Sequence, residues 1–162
     1  MTCSAWTATT AALSSDSITT RVEAETPLNV VTSLGVKGPV SVASDPMASG
    51  KQFVWLYDAG DAIRVNFLSG TGTYRINVRV RCGDASGQTS FWPSGYVVLL
   101  DGNPLAVTGD TTTLSAVDMY YPTTYWGTMS NASVPLAAGT HSIQISCARN
   151  WAMVDYVEFI SQ

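Results

Sequence analysis

Residues 153–160 read Met-Val-Asp-Tyr-Val-Glu-Phe-Ile, a run in which an acid sits among strong strand formers. Successive side chains of a β-strand point to opposite faces, so alternation groups Asp155 with Val157 and Phe159 and sets Val154, Tyr156 and Glu158 on the other side. A carboxylate sharing a face with two core formers needs a partner, because an unpaired buried charge is strongly unfavourable. Near the other end, residues 21–25 read Arg-Val-Glu-Ala-Glu, and the same period puts Glu23 and Glu25 on one face. Three acids in two apolar strands are most simply reconciled by a bound hard cation joining the two ends of the chain, since calcium takes several carboxylate and carbonyl oxygens.

Between these ends, strand signals recur with almost no helical periodicity. Ile63, Val65 and Phe67 alternate inward. Tyr74, Ile76, Val78 and Val80 do the same, leaving Arg75, Asn77, Arg79 and Arg81 outward. Residues 96–100 are a nearly continuous apolar run closed by an Asp101-Gly102-Asn103-Pro104 turn, and Ile143 and Ile145 mark another alternating strand. Many short strands separated by Gly, Pro and Asn turns predict an all-β sandwich of two antiparallel sheets. At 162 residues this is naturally one domain, spanning 21–162. Residues 1–20 are rich in Ser, Thr and Ala, as in a tether, but Trp6 and Cys3 suit an extra strand instead.

Several function classes are disfavoured. The net charge of −4, with Lys37 and Lys51 as the sole lysines, leaves no basic patch for nucleic acid. No apolar run reaches the roughly 18 residues of a membrane helix, and no basic segment precedes an apolar core at the start, so the chain is expected to be soluble, mature or trimmed. Cys3, Cys82 and Cys147 leave one thiol over in any pairing; Cys82 and Cys147 have inward parity and read as small buried hydrophobes or as a disulfide. Without a Cys-x-x-Cys pair, and with His141 the single histidine, structural zinc is not supported. His141 shares parity with Ile143 and Ile145 and reads as a core or turn residue, with no nucleophile elbow to serve. Ser49-Gly50-Lys51-Gln52 lacks the flanking residues of a phosphate loop. Glu23, Glu25, Asp58, Asp61 and Asp155 could supply an acid and a base for glycoside hydrolysis, but 58–61 reads as a turn and the others suit an ion.

The aromatic residues point elsewhere. Trp55 and Tyr57, Phe91 and Trp92, Tyr120, Tyr121, Tyr125 and Trp126, and Trp151 concentrate in turn-rich segments. A flat ring stacks on the apolar face of a pyranose while nearby polar groups take its hydroxyls; the same rings could instead plug the ends of a sandwich.

The two acidic ends, together with Ala48-Ser49-Gly50-Lys51, Gly72-Thr73-Tyr74-Arg75-Ile76-Asn77-Val78-Arg79 and Leu136-Ala137-Ala138-Gly139-Thr140-His141-Ser142-Ile143, occur in an order that resembles carbohydrate-binding modules of family 6 and its relatives, families 35 and 36. The resemblance spans about residues 21–160. It implies a β-jelly roll with a structural calcium held by Glu23, Glu25 and Asp155, completed by backbone carbonyls such as that of Lys51. It also implies a sugar site in the loops at one edge, built from Trp55 or Tyr57, Trp126 and Asn150. The most literal alignment puts Leu56 where the family carries its first ring. The long segments 82–96 and 118–126, and Trp151 directly after Asn150, depart from the family pattern; they make Trp92 and Trp151 further candidates. The outward row Arg75, Asn77, Arg79 and Arg81 could form a second site on a sheet face or be a solvated face.

The expectation is therefore a calcium-stabilised sandwich that binds a polysaccharide or oligosaccharide without transforming it. It would be an extracellular monomer tethered to a catalytic module. The rival readings are a small jelly-roll hydrolase or lyase, and an adhesion domain that uses its aromatic loops against protein. The sequon at Asn131-Ala132-Ser133 decides nothing by itself.

Overall fold

A computed structural model describes residues 19–83, 94–109, 116–117 and 125–162. In chain order the strands are β1 (Thr19–Glu23), β2 (Val30–Thr32), β3 (Ser41–Ser44), β4 (Gln52–Leu56), β5 (Ala62–Ser69), β6 (Gly72–Gly83) and β7 (Tyr96–Leu100). They continue with β8 (Asn103–Pro104), β9 (Thr108–Gly109), β10 (Ala116–Val117), β11 (Tyr125–Ser130), β12 (Val134–Leu136), β13 (Gly139–Cys147) and β14 (Ala152–Ser161). One sheet runs β10-β11-β6-β14-β4-β3, with β1 added to β14, β12 to β6 and β9 to β11; the other runs β2-β5-β13-β7-β8. Each strand pairing is antiparallel, as the alternating patterns require of a two-sheet jelly roll.

The core lies between the sheets. Ile76, Val78 and Val80 of β6 meet Ile63, Val65 and Phe67 of β5 and Ile143 and Ile145 of β13, all buried. Phe67 and Phe159 stack across the layers with centroids 3.5 Å apart. Cys82 and Cys147 belong to this core, and burial pushes their thiols up to about 12 and about 11 respectively. His141 stands at its rim, near the start of β13 opposite Phe67 rather than in a turn: Nδ1 lies 2.6 Å from Asp101 Oδ2 and Nε2 2.9 Å from the Ala137 carbonyl. Asn131 is also turned inward, accepting the Ile76 N–H at 2.6 Å, so its sequon is held in the fold with the side chain buried.

The chain's two ends do meet, through backbone pairing: β1 runs alongside β14 with Val22 opposite Val157 and Glu23 opposite Tyr156. The parity expected for β14 fails at Asp155. Its pairing with β6 shifts register between Val154 and Tyr156, and the extra residue of a bulge reverses the alternation. Val154, Val157 and Phe159 thus all enter the core, while Asp155 leaves the face it was expected to share with Val157 and Phe159. Asp155 is buried all the same, because the segment between β3 and β4 folds over it: the Ser49 N–H donates to both carboxylate oxygens, at 3.0 and 3.1 Å.

Candidate functional site

Alternation along β4 and the residue after it places Phe53, Trp55 and Tyr57 on one face, opposite the core residues Val54 and Leu56. These rings form the middle of a continuous aromatic line. Trp126 meets Phe53 edge-on at 5.6 Å, Phe53 meets Trp55 at 5.3 Å, and Trp55 stacks on Tyr57 at 5.3 Å. Trp151 closes the line edge-on against Tyr57 at 5.5 Å and Trp55 at 6.3 Å. Each such pair contributes about 0.5–1.5 kcal/mol beyond the burial of its area. The line begins fully buried at Trp126 and ends at Trp151, which is 44% exposed.

This gradient corrects one expectation. Trp126 lies in β11 rather than in an open loop, packs with Ala48, Phe53 and Met153 in a small cluster separate from the main core, and donates its indole N–H to Asp45 at 3.1 Å. With no exposed surface it presents no ring face to a sugar; it anchors the line from inside. Trp55 and Tyr57 are half-buried, and Gly38 lies so close to Tyr57 that an added Cβ would sit 3.1–3.2 Å from three of its ring carbons. Trp151 is therefore the most open of these rings. Trp92 lies outside the described residues, as do Phe91, Tyr120, Tyr121 and the side chain of Tyr125.

Trp151 is held with unusual care. Its φ of +68° is the left-handed region, which costs a bulky residue about 1–2 kcal/mol. Its N–H donates to the Tyr57 carbonyl at 3.1 Å, and its carbonyl accepts from the Arg81 guanidinium. Asn150 beside it accepts the Ala59 N–H through Oδ1 at 2.9 Å, leaving the amide NH2 for other partners. Residues 148–151 are thus laced to the turn at 57–61.

A third loop, 33–38, is laced to the same turn by two buried acids. Asp58 accepts from the N–H groups of Val36 and Lys37, and Asp61 from those of Leu34 and Asp58. The turn expected at 58–61 is present, closed by an Asp61 N–H to Asp58 carbonyl bond. Because all four carboxylate oxygens already hold backbone donors, this pair is a clamp with no oxygen spare for general acid–base work. Leu34 and Val36 ride on the clamped loop at 55% and 83% exposure.

The other acids are differently placed. Glu23 accepts from the Ser49 hydroxyl at 2.8 Å, Glu25 lies against Gly50, and Asp155 pairs with Arg79 at 2.9 Å. One oxygen each of Glu23 and Glu25 is buried without a hydrogen-bond partner. Burial pushes the Asp155 carboxyl up to about 7, with the neighbouring Glu23 and Glu25 charges adding to the shift, and burial likewise raises Glu25. The partner that Asp155 requires is thus supplied in part by Arg79, which the sequence pattern had set in a solvated row. Among the described residues no three Asp, Glu, His or Cys side chains converge into a metal-holding group. The two orphaned oxygens, all-oxygen donor set and raised carboxyls nevertheless suit a hard cation. Lys51, at φ +63°, turns its carbonyl to the Asp45 N–H at 3.1 Å.

The outward row on β6 is largely consumed. Arg79 binds Asp155 and the Met47 carbonyl, Arg81 binds Trp151, and Asn77 joins Glu158 and Ser130. Arg75 is the exposed member.

No family model and no curated protein matches the chain. Solved structures do. A family 35 carbohydrate-binding module from Clostridium thermocellum superposes with a TM-score of 0.56 at 19% identity, over 88% of this chain and 98% of the other. The fold is that of a carbohydrate-binding module. The C-terminal family 6 module of a marine laminarinase from Zobellia galactanivorans gives 0.51 at 17% identity, covering 90% of this chain and all of that one. A family 26 β-(1,4)-mannanase with a family 35 module, from Podospora anserina, gives 0.56 at 16% identity over 89% of this chain, which spans only 28% of the mannanase. Each of these three is, or carries, a module of the families whose motifs the sequence resembles.

Proposed function

We propose that this chain is a non-catalytic module that binds polysaccharide at the edge formed by residues 33–38, 57–61 and 148–151. The observation that carries the proposal is Trp151, an exposed ring fixed in a costly backbone conformation at the end of an aromatic line. Stacking on a pyranose needs such a pre-set platform, since ordering a flexible side chain on binding subtracts from affinity. Trp55 and Tyr57 support the platform from below, and the Asn150 amide is placed to donate to a hydroxyl. The saturated state of Asp58 and Asp61 supports binding over hydrolysis. Affinity of about mM to µM, roughly 4–8 kcal/mol, suits a secreted module tethered to a catalytic domain, where linkage raises the effective concentration.

Glu23, Glu25 and Asp155, with the Lys51 carbonyl, are proposed to hold a structural calcium. The ion would neutralise the carboxylates; the chain's own residues then keep the 45–51 segment folded across the sheet through Ser49. Affinity electrophoresis through gels containing xylan, mixed-linkage glucan, mannan, pectin and chitosan, with calcium present and an inert protein as reference, tests the binding function. Retardation in at least one gel is the expected result; migration with the reference in every gel would contradict it.

A further inference from the structure

Building on that reading, we infer that the glycan this edge takes is anionic, a sugar carrying a carboxylate or a sulfate, and that Lys37 and Arg149 recognise the charge. The three loops of the edge carry four formally charged residues, and their burial divides them by sign. Asp58 and Asp61 are buried at 4% and 0% exposure, with every oxygen engaged by backbone N–H groups. Lys37 and Arg149 are exposed, and neither has a side-chain partner among the described residues.

They stand on the two loops that are bonded to the 57–61 turn. Lys37 donates its N–H to Asp58 and precedes Gly38, which packs on the Tyr57 ring; Arg149 precedes Asn150, which is bonded to Ala59, and Trp151. One cation thus flanks the 57–61 turn from each neighbouring loop. A chain with 12 acids and 8 bases, net −4, would place acids on an arbitrary stretch of surface more often than bases. Here the accessible charge is positive only. Of the six other cations four are spent elsewhere, Arg21 on Glu158, Arg79 on Asp155, Arg81 on the Trp151 carbonyl and Arg64 on Gln144, while Lys51 and Arg75 are exposed outside these three loops. A neutral polysaccharide would use the rings and the Asn150 amide and leave both cations idle. A charged sugar engages them as well, the Arg149 guanidinium through a planar fork suited to oxyanions and Lys37 as a point charge on a flexible stem. Because the whole chain is acidic, general ion exchange would repel a polyanion, so attraction to one reports on the local pair.

The experiment compares retardation of the purified protein by polygalacturonate and by its carboxyl-reduced counterpart, and by a sulfated galactan and its desulfated form, at low and at raised salt. Stronger retardation by a charged polymer than by its neutral partner is expected, weakening with salt, and the charged polymer that retards more identifies the group. The Lys37→Gln/Arg149→Gln variant should bind that polymer about tenfold more weakly, with an unchanged melting temperature. Equal retardation by charged and neutral forms, or a double variant that binds as well as wild type, would overturn the inference while leaving carbohydrate binding intact. Absence of retardation by every polymer, neutral ones included, would overturn the proposed function and this inference with it.

Discussion

Asp58 and Asp61 on one side, and Glu23, Glu25 and Asp155 on the other, are buried or part-buried acids that the fold treats in opposite ways. The first pair is saturated by backbone donors from a neighbouring loop; the second group shares a serine and an arginine and still leaves two oxygens orphaned. Burial alone therefore does not assign a carboxylate its role. A saturated acid is a clamp whose ionised form the structure already stabilises, whereas an under-satisfied cluster holds excess negative charge and has a use for a cation or a proton. The clamp pins the edge beneath the exposed aromatic ring, and the under-satisfied cluster lies beneath the segment that covers the opposite face of β14.

Removing the clamp should have a large effect. Asp61→Ala strands the buried N–H of Asp58 and the part-buried N–H of Leu34, and at roughly 1–3 kcal/mol for a buried donor left unpaired the loss is about 2 kcal/mol or more. Urea unfolding would measure it; a loss below about 1 kcal/mol would mean that water replaces the carboxylate and that the clamp is weak. Calcium should act on the other group alone. At about 100 times its dissociation constant the ion adds about 2.7 kcal/mol, a rise of roughly 5–11 °C for a domain of this size. Glu25→Gln should abolish that rise and Asp61→Ala should preserve it. Coincident melts in excess calcium and in chelator would end the calcium proposal, and a rise lost equally in both variants would erase the distinction between the two groups.

A smaller effect separates both from a third acid. Asp101 is half-exposed and pairs with His141, whose second ring nitrogen faces a carbonyl, so both nitrogens are best satisfied when the ring is protonated. The Asp101 hydrogen bond and the Ala137 carbonyl raise the His141 value; burial pushes Asp101 up, but its bonds to His141 and Ser142 outweigh that and lower it. A raised histidine value means that its stabilisation is fully present below the unfolded value near 6.5 and is lost as the pH climbs through the folded one. His141→Gln should therefore lower the melting temperature more at about pH 5.5 than at about pH 8.5. An equal drop at both would show that packing against Phe67, not charge, is what the ring contributes.

Much of the sandwich is readable from period-two alternation, because each strand's two faces differ in polarity and the wrong register would bury arginines. The ring line along β4 obeys the same rule at positions 53, 55 and 57, but Trp55 and Tyr57 read from sequence as residues of a turn-rich segment, and Trp55 lies instead within a strand. What alternation could not reveal is a bulge, since inserting one residue at Asp155 changes no composition yet reverses the parity of everything before it. Nor could it tell that Trp126 turns inward: a tryptophan near turn residues looks the same whether its indole N–H meets water or Asp45. Asp58 and Asp61 were legible as a turn, but their true partners come from a loop more than 20 residues upstream. That loop also brings in Lys37, whose part depends on contacts that no local pattern encodes.

The most direct test of the account is Trp151→Gly, because glycine adopts a φ of +68° freely and so removes the ring without straining the loop. Measured by affinity electrophoresis in whichever gel retards the wild type, alongside a thermal melt, the variant should lose its retardation while melting within a few degrees of wild type. Wild-type retardation in this variant would contradict the central claim that the exposed end of the aromatic line is where sugar binds.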